Sequence, residues 1–326
     1  MTVATRRAVL AGSLAAAVAS APLRAAGQAT MASGPSLAGP LLDLSKPEGN
    51  ALALARIQGH LDPKVTSYSW YAGRVSGFRP GEAGRDLMGI IGMGAVRLLP
   101  IEGAMGWTML RKELGFFTDL ASGAVIDRWH NPYLDEDVEV VHLANPAINS
   151  AIKPFVLQQG LYETTGKPAE AKPLMLPWRQ VGDRLMTEMH AHLRAKNPLD
   201  PAIWPRESSG AEISISDSNS FNVSLADLQN PALLKVESIG HWTHSRPWQP
   251  WMLMGQTEGY IQYDCFTGSS ASLANMPAEI VKLARERFPD FLVAPTEISK
   301  AESSLARYMR TRKPQPAKPQ TGGRGA

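Results

Sequence analysis

The chain has 326 residues, of which 44% are apolar and 19% are charged. This balance is typical of a globular protein and excludes a disordered chain. The single cysteine, Cys265, excludes a disulfide framework and a cysteine-ligated zinc or iron–sulfur site. Residues 30–300 hold 24 basic and 29 acidic side chains, a net charge of −5. This mildly acidic body argues against nucleic-acid binding, which needs a basic face.

The N-terminal residues have the pattern of an export signal. Arg6 and Arg7 precede an alanine-rich apolar run at 9–21, and residues 27–29 offer a small-x-small cleavage site. Paired arginines before a weakly apolar run are typical of a twin-arginine signal. We therefore expect 1–29 to be cleaved after engaging the twin-arginine export machinery, and the mature protein to work in the periplasm. An ordinary secretory signal and a retained anchor helix are the alternatives.

The first half of the body predicts one short helix followed by strands. Residues 49–60 favour a helix, and from residue 66 the apolar pattern changes to period two, which predicts a strand through 76. The glycine-rich stretch 88–95 lacks the order of a nucleotide-binding loop and predicts a bent strand or turn. Residues 107–117 alternate clearly and predict a strand.

The next segments predict a hairpin and a further strand. Residues 119–123 favour a turn, and 124–129 would return as the partner of 107–117. Residues 138–144 predict another strand, which Asn145 and Pro146 would end. No run of about 18 apolar residues follows the N-terminal segment, so no stable membrane span is predicted.

The second half predicts more strands and one clear helix. Residues 181–194 fit a helix or a strand, and their ten-residue alternation favours the strand. Three further strands are predicted at 221–228, 236–245 and 260–266. Residues 277–288 predict a helix with proline in its first turn and one apolar face.

Many short strands with turns predict a mainly β fold. The expected architecture is a single antiparallel β-barrel or strongly curved sheet with a few flanking helices, occupying residues 30–300. The tail 301–326 carries six basic residues against one acidic residue and is rich in proline, glycine and lysine. Its composition predicts a disordered basic tail.

Several motifs in order carry a family resemblance. They lie at 111–113, 122–123, 129–132, 138–149, 207–210 and 248–255, and together cover about 65–265. The set resembles the bacterial and fungal family called domain of unknown function 1838. Many bacterial members bear a twin-arginine signal. The resemblance implies a β-rich single-domain protein and leaves the reaction open.

Three residues are candidates for acid–base chemistry. Arg111 and Glu113 share one face of a predicted strand, so inside a barrel they would have to pair with each other or with a ligand. His142 has an imidazole suited to proton transfer near neutral pH. The plainer interpretations are an ion pair at the barrel rim and a core histidine with satisfied hydrogen bonds.

A segment dense in tryptophan predicts the pocket wall. Residues 241–252 contain three tryptophans and Arg246, which suits an anionic or phenolic ligand. A core plug at one barrel end is the alternative. The candidate substrate-binding residues are Trp70, Trp129, Asn145, Asn149, Trp242, Arg246, Trp248, Trp251 and Met252.

Metal binding is a weaker hypothesis. His190 and His192 alternate on one strand face with Glu188, and such a set can share a metal ion. A solvated polar face is the simpler interpretation. No cofactor is expected, because no phosphate loop or dinucleotide fingerprint is present. No nucleophile elbow is present either, so no catalytic triad is predicted.

The sequence leaves three functions open. The first is a cofactor-free lyase or isomerase that acts on an apolar or aromatic small molecule in a barrel pocket. The second is a periplasmic carrier or sensor of such a molecule. A histidine-ligated metalloenzyme is third. The combination of aromatic walls with acid–base groups favours the enzyme.

Overall fold

Nine antiparallel strands form one sheet that curls into a half-barrel. The computed structural model describes residues 42–157 and 171–317. The strands of this sheet are β1 (Ser67–Phe78), β2 (Arg85–Pro100), β3 (Trp107–Thr118), β6 (Leu143–Ile152), β9 (Arg179–Val181), β10 (Arg184–Lys196), β11 (Glu212–Ser224), β12 (Ile239–Arg246) and β13 (Tyr260–Ser270). They lie side by side in the order β6–β3–β2–β1–β13–β12–β11–β10–β9. The predicted mainly β fold with a strongly curved sheet is confirmed.

Smaller elements surround this sheet. Two-stranded sheets pair β4 (Arg128–Asn131) with β5 (Glu136–Glu139), and β7 (Phe155–Leu157) with β8 (Ala171–Pro173). The helices are α1 (Pro47–Gln58), α2 (Leu225–Gln229), α3 (Ala278–Arg287) and α4 (Ser304–Thr311), with single 3-10 turns at Pro250–Met252, Leu273–Asn275 and Pro289–Leu292. Among the described residues, no helix has the length and apolar character needed to cross a membrane.

Helix α1 packs inside the curl and fills one end of it. Its first residue is Pro47, whose fixed φ suits a helical first turn. One side of α1 packs with Val96, Leu98 and Trp107 of β2 and β3. Its other side packs with Leu185 and Val223 of β10 and β11. These strand pairs are far apart in the sheet, so the sheet must curve around the helix.

The opposite end of the concave face is closed by the segment that follows β12. Trp248, Trp251 and Met252 are almost fully buried and pack with Val75 and Phe117. Helix α3 covers the convex side instead, where its apolar face meets Met93, Leu114 and Phe116. The concave face therefore has an apolar cluster at each end and sheet side chains between them.

The region after β3 differs from the predicted hairpin. The turn at 119–123 forms, but pairing with 124–129 stops after a bridge between Thr118 and Val125. The long partner of β3 is β6, which runs straight through Pro146 to Ile152. A proline is tolerated there because β6 is an edge strand, and Pro146 lies where the register shifts opposite Lys112.

The segment after residue 300 is also more ordered than its composition indicates. Glu302 bridges to Ala147 of β6, and Ser303 caps α4 by accepting the backbone N–H of Ala306 at 3.1 Å. Tyr308 of α4 is buried against Trp204. The apolar contacts of α4 thus order a segment whose basic composition predicted disorder. Residues 318–326 and the predicted signal 1–29 lie outside the described residues.

Candidate functional site

The concave face between the two apolar ends carries a layer of polar and aromatic side chains, which we call the trough. Residues two apart on a strand share a face, and the strand registers bring these positions side by side. The trough residues are Ser69, Tyr71, Arg111, Glu113, Asp217, Trp242, His244, Arg246 and Tyr263.

Tyr71 forms the floor of the trough, and two glycines make room for its ring. Gly92 of β2 and Gly115 of β3 lie beside it in register, and a Cβ on either would stand 2.4 Å from the Tyr71 hydroxyl. That hydroxyl donates to the carbonyl oxygen of Leu114 at 2.8 Å. The glycine-rich run is therefore part of a strand, and the absence of side chains at Gly92 and Gly115 leaves space for the Tyr71 ring.

On one wall of the trough, Arg111 and Glu113 pair as their spacing predicts. Arg111 Nη2 lies 3.6 Å from Glu113 Oε1. The other carboxylate oxygen of Glu113 accepts from Asn145 Nδ2 at 3.0 Å. The side-chain oxygen of Asn145, Oδ1, in turn accepts hydrogen bonds from the backbone N–H and the hydroxyl of Ser304, at 2.6 and 2.8 Å. Helix α4 thus fixes the amide that holds Glu113.

The other wall holds a group that sequence reasoning missed. Asp217 of β11 pairs in register with His244 of β12, and Asp217 Oδ1 lies 3.7 Å from His244 Nδ1. The same oxygen accepts from Trp242 Nε1 at 2.6 Å. Asp217 is 27 residues before His244 in the sequence. Only the pairing of β11 with β12 brings them together, so no local motif signals the contact.

Aromatic contacts connect the two walls. The Trp242 ring lies 5.3 Å from Tyr71 and 5.5 Å from Tyr263, centroid to centroid. Burial raises the pKa of Tyr71 and of Tyr263, and the Glu113 carboxylate raises the pKa of both further. Glu113 therefore acts electrostatically on tyrosines of two different strands. Both phenols are held in the protonated form at neutral pH.

Several buried polar atoms on the concave side have no hydrogen-bond partner among the described residues. Such atoms are uncommon, because leaving one unpaired costs about 1–3 kcal/mol. Ser69 Oγ and Arg111 Nε lie close together, each within 3 Å of the place where Gly94 would carry a Cβ. In the trough the set comprises Ser69 Oγ, Arg111 Nε, His244 Nδ1 and Arg246 Nε, whereas Ser150 Oγ, Thr187 Oγ1 and Trp251 Nε1 lie toward its apolar ends.

His142 lies apart from the Arg111–Glu113 pair. Its Nδ1 accepts the backbone N–H of Phe117 at 3.2 Å, and its Nε2 lies 3.2 Å from Asp127 Oδ1. Burial lowers its pKa, although Asp127 opposes the shift. Both ring nitrogens are occupied, which matches the plainer interpretation of a core histidine. The structure does not bring the three predicted catalytic residues together.

The predicted substrate-binding residues fall into separate places. Trp242 and Arg246 line the trough, and Asn145 supports it. Trp248, Trp251 and Met252 are buried in the closing segment, with Trp129 edge-on to Trp251 at 6.0 Å. This arrangement is the end plug that the sequence left open as an alternative.

Two predicted binding residues lie away from the concave face. Trp70 alternates with Tyr71 and points to the convex side, where its ring covers Gly268. Asn149 pairs opposite Leu110 and donates to the carbonyl oxygen of Ser299 at 2.6 Å. Alternation with Tyr71 places Trp70 opposite the trough, and the register shift at Pro146 moves Asn149 to the face opposite Asn145. Their positions give them structural roles in packing and in anchoring the segment before α4.

The candidate metal ligands are solvent-exposed on the convex face. The predicted strand is confirmed, but His190 lies 3.5 Å from Glu188, whereas His192 contacts the Ser216 hydroxyl at 2.9 Å. Across the described ranges, no three His, Cys, Asp or Glu side chains gather where they could hold one metal ion. The buried thiol of Cys265 adds no ligand, because burial raises its pKa to about 12.

Fold and site together define a curled antiparallel half-barrel with a polar, aromatic trough between two apolar ends. The family model described as "Protein of unknown function (DUF1838)" matches residues 64–312. The chain belongs to this family, as its motifs indicate. No curated protein matches the chain.

Proposed function

We propose that the trough binds a small molecule with an aromatic or apolar body and an anionic or phenolic oxygen, and that the protein acts on it as a cofactor-free lyase or isomerase. The observation that carries the proposal is that four buried polar atoms of the trough, on Ser69, Arg111, His244 and Arg246, have no hydrogen-bond partner among the described residues. A protein interior normally pairs such atoms, so their presence on one face favours a ligand that supplies the missing partners.

The side chains of the trough suit this ligand chemistry. Arg111 and Arg246 offer guanidinium N–H groups to an anionic oxygen from opposite walls, and guanidinium groups bind carboxylates and phenolates through paired hydrogen bonds. The rings of Tyr71, Trp242 and Tyr263 offer flat apolar surface to an aromatic body. Charge at the walls and rings at the floor would fix the orientation of the ligand.

The same walls carry groups able to move a proton. Glu113 is positioned on its wall by Arg111 and Asn145, and its carboxylate would serve as the general base. On the opposite wall, Asp217 Oδ1 lies 3.7 Å from His244 Nδ1 and would stabilise the imidazolium form of His244 that donates a proton. We infer that Glu113 takes a proton from the bound molecule while His244 returns one to a different atom. The two arginines would stabilise negative charge on the oxygen between these steps.

We also propose that the protein is exported to the periplasm. The arginine pair and apolar run at the N-terminus support a twin-arginine signal and a periplasmic protein. A carrier remains the competing function, because the trough residues would also suit tight binding without chemistry. A metal at His190 and His192 has little support, because these residues contact different partners on the exposed convex face.

The binding half of the proposal predicts a loss of affinity for an aromatic anion when Arg246 is neutralised. Anilinonaphthalene sulfonate has an aromatic body and one anionic group, and its fluorescence rises on transfer to an apolar site. We expect Arg246→Gln to weaken its binding by about tenfold or more, because a hydrogen bond to a charged group contributes about 1.5–3 kcal/mol. Fluorescence titration measures this change.

The matched control is Arg194→Gln. Arg194 is an exposed arginine of β10 on the convex face, where it pairs with Glu212. Its variant should bind the dye as the wild type does. Equal dye affinity in all three proteins would place the dye outside the trough and remove the support for an anion site there.

A further inference from the structure

A pocket lies outside the trough, between α4 and the start of β6. It has a volume of about 380 Å³, which falls in the usual range of about 300–1,000 Å³ for small-molecule sites. Val140, Val141, Ala144 and Phe288 form apolar parts of its lining. Arg307 and Arg312 of the α4 region contribute the positive charge. The pocket therefore combines an apolar surface with cationic groups.

The arginines of this region differ in how fully they are neutralised. Arg312 donates to both carboxylate oxygens of Glu139, at 2.6 and 2.7 Å. Arg287, whose Nη1 lies 3.5 Å from His142 Nε2, donates to both carboxylate oxygens of Asp127. Arg307 pairs with no carboxylate among the described residues. Its guanidinium carbon lies over the Phe288 ring, 5.8 Å from the centroid. Within the part of the chain that the structure describes, one positive charge in the pocket thus has no counter-ion.

The stacked position of Arg307 determines what it can bind. A guanidinium that lies over an aromatic ring keeps its N–H edges free, and those edges match the two oxygens of a carboxylate. Because Arg307 is the one pocket cation that has no carboxylate partner in the described ranges, the pocket suits a single negative charge. We propose that this pocket binds a small monocarboxylate with an apolar body. Arg307 holds the carboxylate, and Val140, Val141, Ala144 and Phe288 contact the body.

This site is separate from the trough and does not depend on the function proposed for it. Ser304, which lines the pocket, is also the residue that fixes Asn145 against Glu113. A bound carboxylate would therefore lie against the helix that supports one wall of the trough.

Hexanoate is a suitable probe, and calorimetric titration of the full chain is the measurement. We expect saturable binding to the wild type, at least tenfold weaker binding to Arg307→Gln, and at least tenfold weaker binding of neutral hexanamide. Arg310→Gln is the matched control. It changes an arginine of the same helix that is already paired with Glu302 at 2.7 Å, and should leave hexanoate affinity within twofold.

Two further measurements separate a loss of the carboxylate site from unfolding and from binding in the trough. Circular dichroism and thermal unfolding check that Arg307→Gln keeps the fold. Arg246→Gln, in the trough, should bind hexanoate as the wild type does, so failure of the trough proposal leaves this one intact. The proposal is overturned if the wild type shows no saturable hexanoate binding, if Arg307→Gln binds equally well, or if Arg246→Gln abolishes binding.

Discussion

Replacing Gly92 with alanine is expected to destabilise the fold by about 3 kcal/mol, near the upper end of what overpacking usually costs. A Cβ at this position would lie 2.3 Å from the carbonyl oxygen of Leu114 and 2.2 Å from the Tyr71 ring. The Leu114 contact is with the backbone of the adjoining strand, so rotating a side chain does not relieve it. The Tyr71 ring would also have to leave its place on the trough floor.

Urea unfolding of the wild type and the variant measures this loss. The matched control is Gly89→Ala, three residues earlier in β2. Its nearest new contact, at 2.3 Å, is the hydroxyl of Thr118, a side-chain atom that can turn away. We expect the control to lose about 1 kcal/mol. A smaller loss for Gly92→Ala than for Gly89→Ala would mean that the glycine row does not seat Tyr71 as described.

The second large effect is the pH dependence caused by Lys235. Its ammonium group is buried and donates to the carbonyl oxygens of Ile57 and Val236 and to the Ser269 hydroxyl, at 2.5–3.0 Å. It thereby binds a carbonyl near the end of α1. Burial lowers its pKa to about 7, whereas the unfolded chain keeps the ordinary value near 10.4.

Between these two pKa values the unfolded state binds the extra proton, so stability rises with pH. From pH 7.5 to 9.5, the unfolding free energy of the wild type should rise by about 2 kcal/mol more than that of Lys235→Met. Denaturant unfolding at both pH values gives the difference, and tyrosine ionisation cancels because both proteins share it. Parallel pH profiles, or a wild type that loses stability relative to the variant, would contradict the buried lysine.

Period-two alternation explains why much of the sheet was predictable. It placed Arg111 and Glu113 on one face of β3, favoured a strand for β10, and the structure agrees with both. It also placed Trp70 opposite its neighbour Tyr71, so the assignment of Trp70 to the binding wall went against the pattern. Successive residues of a strand point to opposite faces of the sheet, so the face of each side chain can be predicted from a single sequence.

Contacts between distant segments were not predictable in this way. Asp217 meets His244 only through the register of β11 with β12, and Asn145 meets Glu113 only because β6, not 124–129, pairs along β3. Strand choice depends on long-range packing that no local motif encodes. The closing segment shows the same limit, since its tryptophans favoured a pocket wall in the sequence, whereas their burial in the structure makes the segment a plug.

Acid–base chemistry by the trough residues on a bound small molecule is tested most directly by hydrogen exchange. The protein is incubated in heavy water with a panel of small aromatic carbonyl and phenolic acids, and the products are analysed by mass spectrometry. The wild type is predicted to incorporate deuterium into at least one compound or to convert it. Glu113→Gln should slow this at least tenfold, whereas Glu188→Gln, on the convex face, should not. A wild type that binds the dye in the trough yet leaves every compound unchanged would contradict catalysis and identify a carrier.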